Sequence, residues 1–345
     1  MNILILTNST STTAGTGRNT TNIQTALKSQ KHTVSLLCLK GSRVAFLKKI
    51  RIAARKVDVV YAIDINPVGY LGFFATRFLK TRFIIVAQAA YAVAPLHNIK
   101  TALLSKVVYR LADAVVAGST FVADEIIKEV PNLEVTVIDP GIDMGEFFAV
   151  ERSVETPPFI LSVGAVKARK GHLFSLRAFA QAKKEFPELR YIIVGSQTDE
   201  PRYFKELQDL AHELGVAEDV VFLASISDEK LKYLYSRATL FILTSINIDF
   251  HFEGFGMVFL EAAAYGLPSV GTLGNGIADA IEDGETGLLV AQCDVIATSV
   301  AILRIVKDPQ YAEKLSIRAK EFAREHDLSC IGKRYEDLHR QLAVQ

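Results

Sequence analysis

Cysteine is scarce in this chain of 345 residues, which holds only Cys38, Cys293 and Cys330. An odd number of widely spaced cysteines forms neither a disulfide framework nor a CxxC metal pair, so we expect a reducing compartment. Low-complexity tracts are absent, and half of the residues are hydrophobic. This composition predicts a folded protein with a sizeable core, and the length suits two domains better than one.

Long apolar runs are also missing. The longest uncharged stretch, FIIVAQAAYAVAPL at 83–96, is too short to span a bilayer. The first residues, MNILILTNST, lack a preceding basic region and a small-residue cleavage site, so they predict a first strand and not a signal peptide. We therefore expect a cytoplasmic protein, and peripheral attachment to the inner face of the membrane stays open.

Acidic residues are rare in the first third of the chain. Residues 1–112 hold sixteen lysines and arginines but only Asp58 and Asp64, a formal charge of +14 in a chain of net charge +1. This asymmetry predicts an anionic partner. The segment KGSRVAFLKKIRIAARKV at 40–57 fits a helix on an anionic membrane or an ordinary basic surface helix, and both readings stay open. Nucleic acid is not expected, because no nucleic-acid-binding module and few interleaved aromatics are present.

Short apolar runs alternate with helical patterns along the whole chain. Those of the first half are NILIL, TVSLLCL, DVVYAI, RFIIVAQ, DAVVAGS and EVTVIDPG, and those of the second are FILSVG, YIIVGS, VVFLAS, TLFILTS, PSVGT and TGLLV. Continuous apolar strands separated by helices predict parallel sheets covered on both faces. The pattern restarts near residue 159, after the linker-like ERSVETPP. We predict two doubly wound α/β domains, 1–155 and 156–325, with ligands at the carboxyl ends of the strands in a cleft between them.

Each half has a glycine-bearing turn after its first strand. In NSTSTTAGTGRNT at 8–20, Gly15 and Gly17 let backbone amides approach a ligand, and Arg18 adds charge. In SVGAVKARKGH at 162–172, Gly164 follows the strand, and three basic residues, Lys167, Arg169 and Lys170, precede a helix. Cations at a helix N-terminus suit a phosphate, although a solvated basic loop has the same pattern.

The stretch HFEGFGMVFLEAAAYGLPSVG at 251–271 carries most of the chemistry. We place Glu253 in a loop, Gly254 and Gly256 at the start of the helix that follows, and Glu261 about one turn inside that helix. Free amides and the helix dipole favour an anion such as a pyrophosphate. A carboxylate on each side of a diphosphate fits the sugar hydroxyls of a nucleotide sugar. The alternative is a capped helix with a satisfied glutamate, but a glutamate among apolar residues is costly to bury without a partner.

The motif E-G-F-G-x-x-x-x-E, followed by PSVGTLGNGIADAIEDGETGLLV at 268–290, resembles the donor-site signature of glycosyltransferase family 4. ADAVVAGSTFVADEII, VTVIDPGIDMGEFF, ILSVGAVKARKGH and AREHDLSCIGKRYEDLH extend the resemblance over nearly the whole chain. It implies a GT-B fold, retaining transfer from a nucleotide sugar of UDP or GDP type without a metal or other cofactor, and a final helix, 326–345, that crosses back to the first domain.

The resemblance also implies roles by position. Lys170 would contact the donor phosphates, with Gly164 beside it, and Glu253 would hold the hydroxyls of the transferred sugar; these two are the catalytic candidates. Glu261 would bind the ribose. The remaining donor contacts would be made by the backbone at Phe255, Gly256 and Met257, by the backbone near Leu223, which would face the base, and by Gly15 and Gly17 of the first domain.

Two positions depart from the family pattern. Ala165 stands where the family usually has an arginine, and Gln88 stands where it usually has a histidine; Gln88 can form hydrogen bonds but cannot act as an acid or base. Arg18 and Gln88 are the acceptor-side candidates. We expect an enzyme that moves a sugar onto a glycan or lipid-linked acceptor in envelope polysaccharide or glycoconjugate assembly. The alternatives are a catalytically degenerate partner subunit or nucleotide-sugar-binding protein, and a sugar-nucleotide epimerase on the same fold.

Overall fold

The structure is a computed structural model that describes residues 1–10, 15–147 and 153–344. It forms two compact units: Met1–Asp143 together with His326–Gln345, and Met144–Glu325. The boundary predicted from the linker-like ERSVETPP was residue 155, whereas the two units part at Asp143 and Met144.

The first unit is built on a six-stranded parallel sheet. Its strands are β1 (Asn2–Thr7), β2 (Thr33–Cys38), β3 (Val59–Ile63), β4 (Arg82–Ala87), β5 (Ala114–Ala117) and β6 (Thr136–Val137), in the order β2-β1-β3-β4-β5-β6. Every residue of the central strand β3 is buried, because a parallel sheet with helices on both faces offers no solvent-facing side.

Among the described residues of the first unit, six helices follow the strands in sequence. They are α1 (Gly15–Ser29), α2 (Arg43–Ala54), α3 (Tyr70–Thr76), α4 (Ala90–His97), α5 (Ala102–Leu111) and α6 (Thr120–Glu129), and a π-helical turn at Ile65–Gly69 precedes α3. On one face of the sheet, Ile3 and Ile5 share a core with Ile23 of α1. On the other face, the side chains of Leu6 and Phe83 approach Gly72 of α3 so closely that a Cβ would overlap them.

The second unit repeats this plan. Its strands are β7 (Phe159–Val163), β8 (Arg190–Val194), β9 (Val220–Leu223), β10 (Leu240–Ile242), β11 (Ser269–Thr272) and β12 (Gly287–Val290), and they form a parallel sheet in the order β12-β11-β10-β7-β8-β9. Its helices are α7 (His172–Glu185), α8 (Pro201–Glu213), α9 (Asp228–Arg237), α10 (Met257–Ala264), α11 (Ile277–Ala280), α12 (Val295–Lys307) and α13 (Pro309–Glu325). The predicted pair of doubly wound parallel-sheet domains is confirmed.

The last helix, α14 (Leu328–Val344), belongs to the first unit. It packs on α1 so closely that a Cβ on Gly332 would lie 2.4 Å from the carbonyl oxygen of Ala26. Tyr335 and Leu338 of α14 enter the core that contains β1 and α1. In the part of the chain that the structure describes, no helix combines the length and the apolar character needed to span a bilayer.

Candidate functional site

The second sheet has a topological switch point between β7 and β10. From β7 the chain adds β8 and β9 on one side, and it then places β10, β11 and β12 on the other side. The loops that leave the carboxyl ends of β7 and β10 therefore diverge and open a crevice, which is where open α/β sheets bind ligands. Lys170 follows β7, and Glu253 follows β10, so both predicted catalytic residues lie at this point.

Lys170 and Glu253 meet directly. The Nζ atom of Lys170 lies 2.5 Å from Oε2 of Glu253, and Nη1 of Arg169 lies 3.2 Å from the same oxygen. The Lys170 and Glu253 side chains are only 12% and 15% exposed. Burial alone would raise the pKa of the Glu253 carboxyl, but the charges of Lys170 and Arg169 outweigh it and lower that pKa below its usual range. Glu253 is therefore ionised at neutral pH, and it accepts hydrogen bonds.

Close backbone contacts fix the loops that carry these side chains. Gly171 has φ +71°, and a Cβ there would lie 1.8 Å from the carbonyl oxygen of Thr244, just after β10. A Cβ on Gly276 would lie 2.0 Å from the carbonyl oxygen of Gly254. The amide of Gly276 also donates a hydrogen bond of 2.9 Å to the carbonyl of Glu253. Only glycine permits both approaches.

The turn after β7 separates its basic residues. Gly164 has φ +153°, and its amide donates to the carbonyl of Val194. The position where the family usually has an arginine is Ala165, so this position supplies no charge. Lys167 pairs with Asp199 at 2.8 Å, whereas Arg169 reaches Glu253. The second cation near Glu253 is thus Arg169, four residues after Ala165.

Helix α10 begins beside Glu253. Gly256 precedes it with φ +91°, a backbone conformation that favours glycine, and Met257 is its first residue. The first amides of a helix have no partner within it, although that of Phe259 donates to the carbonyl of Gly256. Phe255 is buried. Of the two glycines predicted at the helix start, Gly256 directly precedes α10, whereas Gly254 lies in the loop. The end of α10 with positive dipole faces the loop that carries Glu253.

Glu261 lies inside α10 and is 5% exposed. Its Oε2 accepts a hydrogen bond of 3.0 Å from the hydroxyl of Tyr235, so the buried carboxylate has a partner. The ring of Tyr235 stacks on that of Tyr265 with centroids 5.7 Å apart. Burial and, secondarily, the charge of Glu261 raise the pKa of Tyr265 to about 12. The Glu261 carboxylate is therefore hydrogen-bonded to one of two stacked tyrosines.

Leu223 ends β9, at the same edge of the second sheet as the switch point. Its carbonyl accepts a hydrogen bond of 2.8 Å from the amide of Gly195. A Cβ on Gly195 would lie 1.9 Å from the carbonyl oxygen of Gly164. The turns after β7, β8 and β9 therefore form one continuous backbone surface.

The glycine-bearing turn of the first unit is shorter than expected. We predicted a polar turn over 8–20, but α1 begins at Gly15, so Gly15, Gly17 and Arg18 lie in its first turn; 11–14 lie outside the described residues. The small polar residues before Gly15 do not distinguish a helix start from a turn, so the sequence did not predict where α1 begins. The turn follows β1, which neighbours β3 at the switch point of the first sheet.

Asp64 is a residue that the sequence analysis did not single out. It follows β3 at that switch point, is buried, and has φ +64°. Burial raises its pKa to about 7, although a hydrogen bond from the amide of Gln88 opposes the shift. Gln88 is buried after β4, and its Nε2 has no hydrogen-bond partner among the described residues. The sequence feature that could have identified Asp64 is an acidic residue directly after the apolar run VVYAI.

The fold matches those of solved structures over its whole length. HepE of Anabaena, solved in complex with UDP, is 21% identical, with a TM-score of 0.81 that covers 99% of this chain and 100% of that chain. Sucrose-phosphate synthase of Thermosynechococcus elongatus is 19% identical, with a TM-score of 0.81 that covers 100% of both chains. At these identities the likeness shows the fold, and it confirms the predicted GT-B class.

Curated relatives match this chain over part of its length. GDP-mannose-dependent alpha-(1-6)-phosphatidylinositol monomannoside mannosyltransferase of Mycolicibacterium smegmatis is 25% identical over 85% of this chain and 78% of its own length. D-inositol 3-phosphate glycosyltransferase of Nocardioides is 29% identical over 69% of this chain. That match spans only 56% of the relative.

Two family patterns match this chain. Glycosyltransferase Family 4 matches residues 40–146. Glycosyl transferases group 1 matches residues 143–322, more than half of the chain and nearly all of the second unit. The predicted family and enzyme class are confirmed: the chain belongs to the group 1 glycosyl transferases.

Proposed function

We propose that the chain is a retaining glycosyltransferase that moves a sugar from a nucleotide-sugar donor of UDP or GDP type to a glycan or lipid-linked acceptor. The observation that carries this proposal is the pairing of Lys170 and Arg169 with Glu253 at the switch point of the second sheet. HepE, which shares the fold, has been solved with UDP and with UDP-glucose. The proposal includes no cofactor, since the nucleotide sugar is a substrate.

The donor would be held by charge and by backbone amides. Lys170, Arg169 and the first amides of α10 would bind the diphosphate. Glu253 is ionised, so it would accept hydrogen bonds from hydroxyls of the transferred sugar and could not act as a general acid. Glu261 would accept one from the ribose, and the backbone at Leu223 would border the base.

In the reaction, the bond from the anomeric carbon of the sugar to the diphosphate oxygen breaks. A bond to the acceptor oxygen forms on the same face, and the departing phosphate takes the acceptor's proton. The protein stabilises the charge that develops on the leaving diphosphate and positions both substrates. Arg169 would supply the second cation that Ala165 cannot. This route needs no protein base at Gln88.

Features of the first unit support an anionic or lipid-linked acceptor and binding to an anionic membrane. Helix α2 exposes Val44 and Ile52, which are 65% and 62% exposed, beside the exposed cations Arg43, Lys48 and Lys49. Exposed apolar side chains flanked by cations suit the interface of an anionic bilayer. The Mycolicibacterium smegmatis relative bears the name of a phosphatidylinositol monomannoside mannosyltransferase. A place in envelope polysaccharide or glycoconjugate assembly is consistent with these features.

The test is to follow each nucleotide sugar by NMR with and without membrane-extract acceptors. We expect donor consumption that depends on the acceptor, and a product with the anomeric configuration of the donor. Lys170→Met and Glu253→Gln should lower kcat/KM at least tenfold, whereas Lys167→Met should not, because Lys167 pairs with Asp199. An inverted product would contradict retention.

The second candidate is a partner subunit without turnover, which Ala165 and Gln88 favour. It predicts donor binding without transfer in any acceptor context. An epimerase would instead convert the donor when no acceptor is present. The same NMR experiment distinguishes these outcomes from transfer.

A further inference from the structure

Three side chains that commonly bind metals meet at the amino edge of the first sheet. His32 lies directly before β2, and Glu336 and His339 lie three residues apart on α14, a spacing that puts both on one face of a helix. We call these three residues the His–Glu cluster. The residues of the first unit discussed above, such as Asp64 and Gln88, follow the carboxyl ends of strands, so the cluster lies at the other edge of the sheet.

The ligand atoms of the cluster converge. Nε2 of His32, Oε2 of Glu336 and Nδ1 of His339 all lie within 4.8 Å of one another. Nε2 of His32 is 3.0 Å, and Nδ1 of His339 is 3.9 Å, from Oε2 of Glu336. The side chains of His32 and His339 are only 6% and 3% exposed. All three atoms are buried, and their contacts with one another are ion-pair distances that do not meet hydrogen-bond geometry in the described part of the chain.

The second nitrogen of each imidazole faces away from the cluster. Nε2 of His339 lies 2.6 Å from the hydroxyl of the buried Tyr61 on β3, and Nδ1 of His32 lies 3.4 Å from the amino group of Met1. Histidines that bind metals usually have a partner at the other ring nitrogen, which fixes the orientation of the ring. Tyr61 can accept a hydrogen bond from the ring of His339 in this way, whereas the amino group of Met1 is a donor and gives His32 no such support.

We propose that the His–Glu cluster binds one divalent transition-metal ion, with Zn²⁺ as the ion that fits best. Two imidazole nitrogens and one carboxylate oxygen form a frequent set of zinc ligands, with bond lengths of about 2.0–2.2 Å. The two separations from Oε2 of Glu336, 3.0 Å and 3.9 Å, suit ligands that share one ion at such bond lengths. Imidazole selects zinc and its neighbours over Mg²⁺ and Ca²⁺, which prefer oxygen. The Glu336 side chain is 29% exposed, which leaves an entry path and room for a water as fourth ligand.

The ion would join α14 to the sheet. His32 belongs to the segment between α1 and β2, whereas Glu336 and His339 belong to the last helix, roughly 300 residues later in sequence. Binding only to the folded state would stabilise the docking of α14. An ion pair between protonated His32 and Glu336 is the competing explanation. It leaves Nδ1 of His339 at 3.9 Å from Oε2 of Glu336, too far for a good hydrogen bond, and it predicts no metal binding.

The experiment uses the full chain without an affinity tag, after removal of metals with a chelator. Zn²⁺ is titrated by isothermal calorimetry, and Co²⁺ is added separately as a spectroscopic probe. We expect one equivalent of Zn²⁺ to bind and to raise the midpoint of thermal unfolding by several degrees, with no effect of Mg²⁺. The Co²⁺ spectrum should show d–d bands without thiolate-to-metal absorption, which would separate the cluster from a site at Cys38 or Cys330.

Variants then locate the ion. Glu336→Gln keeps the size of a side chain that is 29% exposed. His32→Gln and His339→Gln each remove one imidazole ring. Each should weaken Zn²⁺ binding at least tenfold, and Tyr61→Phe should weaken it by about 10- to 100-fold. His212→Gln, which removes an exposed histidine of the second unit, is the control and should change nothing. Failure of the unmodified chain to bind Zn²⁺, or equal binding by Glu336→Gln, would overturn the proposal whatever the other variants do.

Discussion

Gly171 controls the position of Lys170, and its replacement by alanine tests the site's architecture. The change has two costs. At φ +71° an alanine is in the left-handed region, which costs about 1–2 kcal/mol. Its Cβ would also lie 1.8 Å from the carbonyl oxygen of Thr244. Relieving that overlap must separate the start of α7 from the end of β10, at about 1–3 kcal/mol more.

Gly215 provides a matched control in the same unit. Its φ is +69°, and a Cβ there would meet no atom within 4 Å. Gly215→Ala should therefore cost only the conformational part, about 1–2 kcal/mol. The difference between the two variants isolates the contact between Gly171 and Thr244, and we expect it to be about 1–3 kcal/mol.

Urea unfolding followed by circular dichroism measures this difference, because both glycines lie in the second unit. Nucleotide binding gives a second readout. Gly171→Ala should displace the neighbouring Lys170 and weaken binding, whereas Gly215→Ala should leave binding unchanged. Equal unfolding free energies for the two variants, together with equal nucleotide affinities, would show that the close contact between Gly171 and Thr244 does not position Lys170.

Three other perturbations test separate parts of the account. Burial raises the pKa of Asp64 from near 4 to about 7. The free energy of unfolding should therefore fall by about 1.4 kcal/mol per pH unit as the pH rises between those values. Asp64→Asn should remove this fall, and parallel curves of stability against pH for the variant and the unmodified chain would contradict the prediction. Tyr235→Phe removes the hydroxyl that donates to Glu261 and should lower the free energy of unfolding in urea by about 1–2 kcal/mol; an unchanged midpoint would count against that bond. A double-mutant cycle of Lys170→Met and Glu253→Gln should give a coupling energy of about 1–3 kcal/mol in urea unfolding, and additive effects would exclude the ion pair.

The strands and the candidate donor loops could be predicted from sequence because their signals are local. All twelve apolar runs contain strands, and central strands such as β3 are buried on both faces, so they must be apolar along their length. Lys170 and Glu253 could be placed because the motifs that carry them resemble the donor site of a known family, and both motifs follow strands. The order of the strands then brings the two together.

The parts that sequence reasoning missed depend on distant partners. Nothing local distinguishes Arg169, which reaches Glu253, from Lys167, which pairs with Asp199. The shifted pKa of Asp64 arises from burial by other elements.

The same limit applies to the His–Glu cluster. His32 and His339 lie about 300 residues apart in the sequence, so no spacing rule joins them. The helix start at Gly15 was missed for a different reason, because small polar residues are equally suited to turns and to helix N-termini.

The most direct test of the donor site is calorimetric binding of UDP, GDP and ADP, and then of their common sugars, to the purified chain. We expect one nucleotide to bind. Its affinity should fall by about 10- to 100-fold in Lys170→Met, as expected for the loss of a hydrogen bond to a charged group. The affinity should also fall in Glu261→Gln, whereas Lys167→Met should bind the nucleotide as the unmodified chain does. Binding of no nucleotide, or an equal loss in Lys167→Met and Lys170→Met, would contradict a donor site at the switch point of the second sheet.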